Sequence, residues 1–291
     1  MSPGYLPSAG HRQAEQFWQN VSSAVGCESG HLDCMRQVPF DTLVNATTAI
    51  VSAHSYTLQP RVDGYFLPNT YEASVYQGHF NFSGPCVLTH EQHEFNSVAY
   101  DGIETEEDLF ATIRVVFPAI TENVIQDLLE LYPAGDYGSE GLRFNDIRQS
   151  YEVTAKHFAL TSALGNATWN GEVAISPAMH GTDQSYYFYS TYSLMDSSNE
   201  TTTSFNAAEA ALVGAITSPV NATVARMMQK YLLSFVITGN PNSLWADDKI
   251  YWPQYNESTV GTQIVLNETF TVAEYALANS RSLHWNKALW Y

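Results

Sequence analysis

Residues 85–95 read PCVLTHEQHEF, and residues 172–183 read EVAISPAMHGTD. Each stretch begins with a short apolar run, Pro85 to Thr89 in the first and Glu172 to Ser176 in the second, and continues into a polar segment with histidine and carboxylate side chains. Turn residues bound both runs, which predicts two short buried strands. The carboxyl ends of parallel strands open onto one edge of a sheet, so we expect the reactive side chains in the two segments that follow.

Apolar residues at helical spacing lie on both sides of these strands. They predict helices over residues 14–25, from Asp41 to Ile50, over 106–131 in two pieces broken at Pro118, over 145–163, and from a Ser218-Pro219 cap to Gly239. Strands that alternate with helices predict an α/β fold with a mostly parallel sheet. No repeat, low-complexity tract or charge block divides the sequence, so we expect one unit over residues 1–291.

The composition excludes several classes of protein. The 291 residues are 45% hydrophobic and 13% aromatic, which is enough apolar surface for a core and excludes a disordered tail. Twelve basic and thirty acidic residues give a net charge of −18. Such a surface repels phosphate backbones and anionic lipids, so neither nucleic acid nor an anionic membrane is an expected partner. No apolar run approaches the roughly 18 residues that a transmembrane helix needs.

Glycosylation sequons are more frequent than the composition predicts. Chance would give about three Asn-x-Ser/Thr triplets in such a chain. The sequence has eight, at Asn20, Asn45, Asn81, Asn166, Asn199, Asn221, Asn256 and Asn267. The excess indicates a glycosylated, secreted protein; the alternative is that a chain rich in serine and threonine forms sequons by accident.

The cysteines favour the same compartment. Cys27 and Cys34 lie seven residues apart, and a disulfide could close this short loop in an oxidising environment. Cys86 lies in an apolar run and is expected to be a buried free thiol. The first seven residues contain neither a basic nor an apolar segment of the kind found in signal peptides, so we expect the natural N-terminus to lie upstream.

The polar segment after the first predicted strand permits several interpretations. Two histidines and two carboxylates within residues 90–94 suggest a metal site, but zinc proteases place their histidines four apart on a helix, whereas His90 and His93 are three apart in a predicted loop. We therefore predict no metal, and two solvated histidines are the plainer interpretation. A carboxylate after one strand and a histidine after a later strand is also the order of acid and base in an α/β-hydrolase triad.

Five blocks of the sequence are similar to motifs of the type B carboxylesterase/lipase family, which includes fungal lipases and the cholinesterases. Residues 25–36 resemble a disulfide-closed loop of the family, and residues 62–68 resemble its V-D-G-x-x-[LI]-P turn. The other three blocks resemble N-x-x-E-G at 91–95, H-G-x-[DE]-x-x-Y-x-F at 180–188 and F-x-x-x-G-x-P-N…W-P at 235–253. The blocks occur in the family's order, and the resemblance extends from Met1 to about Asn267.

This resemblance implies the C-terminal part of an α/β-hydrolase fold and the hydrolysis of small-molecule or lipid esters through an acyl-serine intermediate, without a cofactor. It makes Glu94 the triad acid and His180 the general base, and it pairs Cys27 with Cys34. Phe95 stands where the family usually has glycine, so the acid's own loop departs from the pattern.

The triad's serine is not apparent in the sequence. No serine has glycine at both −2 and +2, the arrangement of a nucleophile elbow, and Ser8 has only the second glycine. Residues 1–5 resemble the strand end that follows the elbow helix in the family. We therefore expect the nucleophile and oxyanion-hole loop to precede Met1, and the chain to be inactive alone.

Two other functions stay open. One is a non-catalytic binding or adhesion module of the same fold, since a fold alone does not determine activity. The other is a glycosidase with a pair of carboxylates, although the sequence singles out no such pair.

Overall fold

A computed structural model describes residues 10–54, 62–190 and 219–287. Its central sheet has the spatial order β1-β2-β3-β4. The strands are β1 (Cys86–Glu91), β2 (Thr168–Val173), β3 (Thr262–Leu266) and β4 (Thr271–Glu274). The first three strands are parallel, and β4 runs antiparallel to β3 at one edge. The α/β class expected from the sequence is present.

Helices precede the sheet and fill the connections between its strands. They are α1 (Gly10–Ala24), α2 (Leu32–Gln37), α3 (Phe40–His54), α4 (Tyr71–Tyr76), α5 (Glu106–Val116), α6 (Glu122–Glu130), α7 (Glu140–Gln149), α8 (Ala155–Ala163), α9 (Thr182–Tyr187), α10 (Ala222–Thr238) and α11 (Ser280–Asn286). A π-helical turn (Ser150–Thr154) joins α7 to α8. Among the residues described, no helix is long and apolar enough to cross a membrane.

Of the ends of the two predicted strands, only the start of β1 lies within one residue of its predicted position. β1 continues past Thr89, because His90 and Glu91 keep their pairing with β2. His90 is therefore a buried strand residue, and the prediction that it is a solvated loop histidine is wrong. β2 begins four residues before the predicted Glu172 and ends at Val173 instead of Ser176.

The start of β2 was hidden by residues that usually mark turns. Asn170 and Gly171 lie inside the strand, where the carbonyl of Asn170 accepts a hydrogen bond from Trp252 Nε1 at 2.8 Å. A Cβ on Gly171 would lie 3.0–3.1 Å from the side chains of Trp252 and Ile264, so this glycine permits the close approach of its neighbours. Strands β3 and β4 were not predicted.

Two predicted helix boundaries also need correction. The single helix expected over 145–163 is instead α7, the π-helical turn and α8. Helix α10 begins after Asn221, whose Oδ1 accepts the N–H of Thr223 at 3.0 Å, and not at Ser218-Pro219; Ser218 lies outside the described residues. Its end matches the prediction, because Gly239 adopts a φ of 75° as a C-cap.

The remaining predicted helices are present as α1, α3, α5 and α6, whereas α2, α4, α9 and α11 were not predicted. α1 covers most of residues 14–25 and starts earlier, at Gly10. Asp41 does not cap α3, because that helix already begins at Phe40. Thr105 caps α5 through a reciprocal pair of hydrogen bonds with Asp108, and α6 begins after Thr121 as expected.

Three apolar clusters hold these elements together. The largest lies among α5, α6, α7 and α11 and includes Leu109, Ile125, Phe144 and Trp285. A second packs α9 and α10 against β2 and β3. The third packs α1 against α2 and α3. The second cluster contacts the strands whose carboxyl ends carry the candidate site, since it includes Val173 of β2 and Val87 of β1 packs against it.

The cysteines are arranged largely as expected. Cys27 and Cys34 form a disulfide with an S–S distance of 2.05 Å, which closes the loop between α1 and α2. Cys86 is free, but it is half-buried at the start of β1 and not fully buried as predicted.

Candidate functional site

The segments that follow β1 and β2 pair with each other through their backbones. His93 N–H donates to the carbonyl of Ala178 at 2.8 Å, and His180 N–H donates to the carbonyl of Glu94 at 3.3 Å. These bonds form a further parallel bridge beyond the sheet, in a register shifted by four residues from that of the two strands. Two segments almost ninety residues apart in sequence are therefore held side by side.

The side chains of Glu94 and His180 meet across this pair of segments. His180 Nδ1 lies 2.6 Å from Glu94 Oε2, and the other carboxylate oxygen accepts the backbone N–H of Glu91 at 2.7 Å. Glu94 is 1% exposed, whereas the His180 side chain is 45% exposed. A buried, doubly hydrogen-bonded carboxylate thus faces an imidazole that solvent can reach.

Electrostatics at this contact favour the acceptance of a proton by the imidazole. The hydrogen bond to Glu94 raises the pKa of His180 above its ordinary value, and burial opposes this rise only in part. A carboxylate that accepts from Nδ1–H fixes the tautomer in which Nε2 carries the lone pair. The arrangement can act as a general base at Nε2 and can stabilise the imidazolium that forms.

Phe95, the departure from the family pattern, packs directly on this histidine. Its ring centroid lies 5.3 Å from that of His180, with 31° between the ring planes. The guanidinium of Arg148 lies 4.2 Å from the Phe95 centroid and donates to Glu152 Oε1 at 2.8 Å. The loop therefore keeps Glu94 in contact with His180 even with phenylalanine in place of glycine.

Two further buried acids, Glu91 and Asp183, lie beside Glu94. Asp183 N–H, in the first turn of α9, donates to Glu91 Oε1 at 2.7 Å. Burial and then the charge of Asp183 raise the pKa of Glu91 to about 10, and burial also raises the pKa of Asp183. Neither residue was assigned a role from sequence.

The other candidates of the polar segment lie apart from this contact. His93 Nδ1 faces Asn96 Oδ1 at 3.2 Å, and the ring of His90 packs against that of His157 with centroids 5.1 Å apart. The described residues contain no group of three or more metal-binding side chains. Among the described residues, the hydrogen-bond partner of the His180 ring is Glu94, and no serine hydroxyl bonds to this ring.

Sequence reasoning missed Arg148, Glu152 and Asp183. The first two lie in α7 and the π-helical turn, more than fifty residues from Phe95, so no local pattern connects them with the site. Asp183 was visible in the H-G-x-[DE] block, but only the fold shows that its backbone reaches Glu91.

The sequon asparagines are accessible. Seven of the eight lie in the described residues, and each of these seven is exposed or half-buried. Asn199 lies outside the described residues. The side chain of Asn267 accepts the N–H groups of Thr269 and Phe270 through Oδ1, which leaves its amide nitrogen free of those bonds.

Comparisons with known proteins place this site in context. The sequence profile of the carboxylesterase family matches residues 1–281. The carboxylesterase patB of Aspergillus clavatus is 24% identical over 221 residues, which covers 72% of this chain and 36% of that protein. Secreted lipase 1 of Botryotinia fuckeliana is 25% identical over 290 residues, which covers 92% of this chain and 49% of that protein.

The solved structure of EstA from Aspergillus niger has a TM-score of 0.73 and 17% identity, and the match covers 99% of this chain and 56% of that one. The chain thus spans between a third and a half of the length of these curated relatives. A family match over nearly all residues, together with a likeness in fold over 99% of them, shows that the chain belongs to the carboxylesterase family and has the α/β-hydrolase fold.

Proposed function

We propose that this chain carries the acid and the base of a carboxylic-ester hydrolase. The observation that supports this most directly is the 2.6 Å contact between Glu94 Oε2 and His180 Nδ1 at the carboxyl ends of β1 and β2. In this proposal His180 Nε2 takes the proton of a serine hydroxyl as its oxygen attacks the ester carbonyl, and then gives that proton to the departing alkoxide. Water resolves the acyl-serine by the same exchange, and Glu94 holds the imidazole throughout.

The serine is supplied, in this proposal, by a segment outside residues 1–291. The support is that no Gly-x-Ser-x-Gly occurs in the sequence, although the blocks for the acid and the base are both present. It follows that residues 1–291 alone should not turn over an ester. The triad needs all its members, and loss of the nucleophile removes most of the rate enhancement.

The substrates we propose are uncharged small-molecule or lipid esters, and the compartment is extracellular. The substrate class rests on the family and on the net charge of −18, which disfavours anionic substrates. Secretion is supported by the accessible sequons, by the Cys27–Cys34 disulfide and by the name of the Botryotinia fuckeliana relative. Loss of mass on treatment with an N-glycosidase, after expression in a eukaryotic secretory host, tests this part separately.

The test of the activity compares residues 1–291 with the protein translated from the complete transcript. Hydrolysis of p-nitrophenyl butyrate is measured for each, with His180→Ala and with His79→Ala as an exposed histidine control. We expect the complete protein to lose about a thousandfold or more in kcat on His180→Ala. His79→Ala should retain its activity, and residues 1–291 should not exceed their own His180→Ala variant. Turnover that survives His180→Ala in the complete protein would overturn the assignment of the base.

A non-catalytic binding module of the same fold is the second candidate. The absence of an elbow motif from the sequence favours it. A fluorophosphonate probe distinguishes the two functions, because it labels only an activated serine. Labelling of the complete protein supports the hydrolase, and an unlabelled complete protein supports the binding module.

A further inference from the structure

Glu91 is the one residue of β1 that bonds to both catalytic segments of the proposed hydrolase. Its N–H donates to Glu94 Oε1 at 2.7 Å, and its own Oε1 accepts the N–H of Asp183 at 2.7 Å. Asp183 lies three residues after His180, in the first turn of α9. Glu91 therefore connects the carboxylate of Glu94 with α9, the helix that begins two residues after His180.

The surroundings of the Glu91 side chain are buried and poor in positive charge. Glu91 is 0% exposed, and the acids that face it are Glu94 from the neighbouring segment and Asp183 from α9. Tyr187 of α9 is un-ionised, because burial raises its pKa far above neutrality. In the described part of the chain no lysine or arginine bonds to Glu91 or Asp183, and the nearby imidazole of His180 is already bonded to Glu94.

A negative charge on Glu91, beside the acids Glu94 and Asp183, would cost much and would also impair the base. A buried carboxylate without a cation favours its un-ionised form. An ionised Glu91 would in addition raise the pKa of His180 further, so that the imidazole would hold a proton when it should accept one. An un-ionised acid, by contrast, keeps a carbonyl oxygen for the Asp183 N–H and adds no charge.

We infer that Glu91 is a positioning residue that joins the Glu94 and His180 segments as an un-ionised carboxylic acid. Oε1 serves as the acceptor for α9. This inference rests on the proposed function for its catalytic meaning, but its geometry and protonation state are measurable without turnover.

The first experiment compares Glu91→Gln with Glu91→Leu in residues 1–291. Glutamine keeps a neutral group with a carbonyl acceptor, whereas leucine removes the acceptor. The readouts are the imidazole pKa of His180 and the amide resonance of Asp183, both by NMR on labelled protein. Glu104→Gln, at an exposed acid whose side chain lies outside this network, is the matched control.

We expect Glu91→Gln and Glu104→Gln to leave the pKa of His180 within about 0.3 unit of the wild-type value. Glu91→Leu should shift the Asp183 amide and lower the pKa of His180 towards 6.5, because the segment that carries Glu94 loses its tie to α9. A fall of about one unit in Glu91→Gln would show that a negative charge had been removed, and would overturn the inference.

The second experiment does not depend on the leucine variant, which could fail to fold. An acid that titrates near 4.5 in the unfolded chain and near 10 in the fold takes up one proton on folding between those pH values. The unfolding constant of the wild type should therefore rise, relative to that of Glu91→Gln, by up to about tenfold per pH unit from pH 5 to pH 9.

Urea unfolding at several pH values measures this difference, and Glu104→Gln should run parallel to the wild type. Parallel curves for Glu91→Gln and the wild type would mean that Glu91 is ionised in the fold, and the inference would fail. Failure of the hydrolase proposal would instead appear as activity that survives His180→Ala, with these curves unchanged.

Discussion

His180 and the pair formed by His90 and His157 show opposite solutions for a histidine next to the same strand. The ring of His180 reaches a buried carboxylate, and the hydrogen bond to Glu94 raises its pKa. His90 and His157 pack ring against ring among other buried groups, and burial lowers the pKa of His90 to about 4 and that of His157 well below its ordinary value. One histidine is prepared to take up a proton, and the other two are held neutral.

Strand alternation gives His90 and Glu91 different surroundings. His90 and Glu91 are neighbours on β1, and successive side chains of a strand point to opposite faces of the sheet. His90 contacts His157 of α8 and stacks on Tyr275 with centroids 5.6 Å apart, while the Glu91 side chain accepts a hydrogen bond from Asp183 of α9. At His180 the hydrogen bond to Glu94 outweighs burial, whereas at His90 burial outweighs the charge of Glu94.

Removal of the Glu94 carboxylate should abolish the difference between His180 and the buried pair of His90 and His157. Of the changes predicted, we expect it to have the largest effect on activity. Glu94→Gln keeps the shape of the side chain but removes the charge that stabilises an imidazolium. We expect kcat of the complete protein to fall about 10³- to 10⁴-fold, and the pKa of His180 to fall with it. The measurements are kcat as a function of pH and NMR titration of the ring.

Glu107→Gln is the control for that experiment, since Glu107 is an exposed acid in the first turn of α5. Glu107→Gln should change neither kcat nor the pKa of His180. A Glu94→Gln protein in which His180 titrated as in the wild type would show that the 2.6 Å contact does not control this base.

The second prediction concerns stability in acid, where the two histidine environments should act with opposite signs. The imidazole of His90 has a pKa near 6.5 in the unfolded chain and about 4 in the fold. His90 therefore does not change the stability of the fold above pH 6.5, but it destabilises the fold progressively as the pH falls from 6.5 to 4. The loss is about 3 kcal/mol, and His157 acts in the same direction. His180 has a raised pKa, so its stabilising contribution is complete below pH 6.5 and is lost as the pH rises through its folded value.

His157→Leu tests this prediction, because both nitrogens of that ring lack a hydrogen-bond partner and its removal leaves no group newly unpaired. The variant should lose less stability than the wild type between pH 6.5 and 4 in urea unfolding. His180→Ala should instead have its largest deficit at low pH. Equal acid sensitivity in His157→Leu and the wild type would contradict the assignment of a neutral buried pair.

The two histidine environments were not equally predictable from the sequence. Glu94 and His180 were assigned from the resemblance of their segments to ordered family motifs, and the fold brings the two side chains together across 86 residues. His90 was misplaced, because nothing local shows that β1 keeps its hydrogen bonds to β2 as far as Glu91. Its partner His157 lies on α8, and only tertiary packing makes the two rings neighbours.

The secondary structure was also predictable only where its signals are local in sequence. Helices α5 and α6 lie close to their predicted positions because their apolar spacing and the break at Pro118 are local signals, and Thr105 in addition caps α5. The start of β2 was missed because Asn170 and Gly171 have turn chemistry, which packing against Trp252 overrides. Strand β4 is largely exposed and pairs only with β3, so its sequence has little apolar pattern to detect.

The smallest expected effect lies in the stack of Arg148, Phe95 and His180. Arg148 bonds to Glu152, and the charge of Glu152 contributes to the raised pKa of His180. Arg148→Met should free that charge and raise the pKa of His180 by a few tenths of a unit, roughly 0.5 kcal/mol, with a modest loss of ring order because the cation over Phe95 is gone. NMR titration of His180 measures the shift.

The double variant Arg148→Met/Glu152→Gln separates charge from packing in this stack. If the charge of Glu152 acts on His180, the double variant should return the pKa to the wild-type value or slightly below it, although the contact with Phe95 is still altered. If only packing matters, both variants should show the same pKa. An unchanged pKa in both would mean that Glu94 alone sets the charge state of His180, and the contrast with His90 and His157 would then depend on one carboxylate.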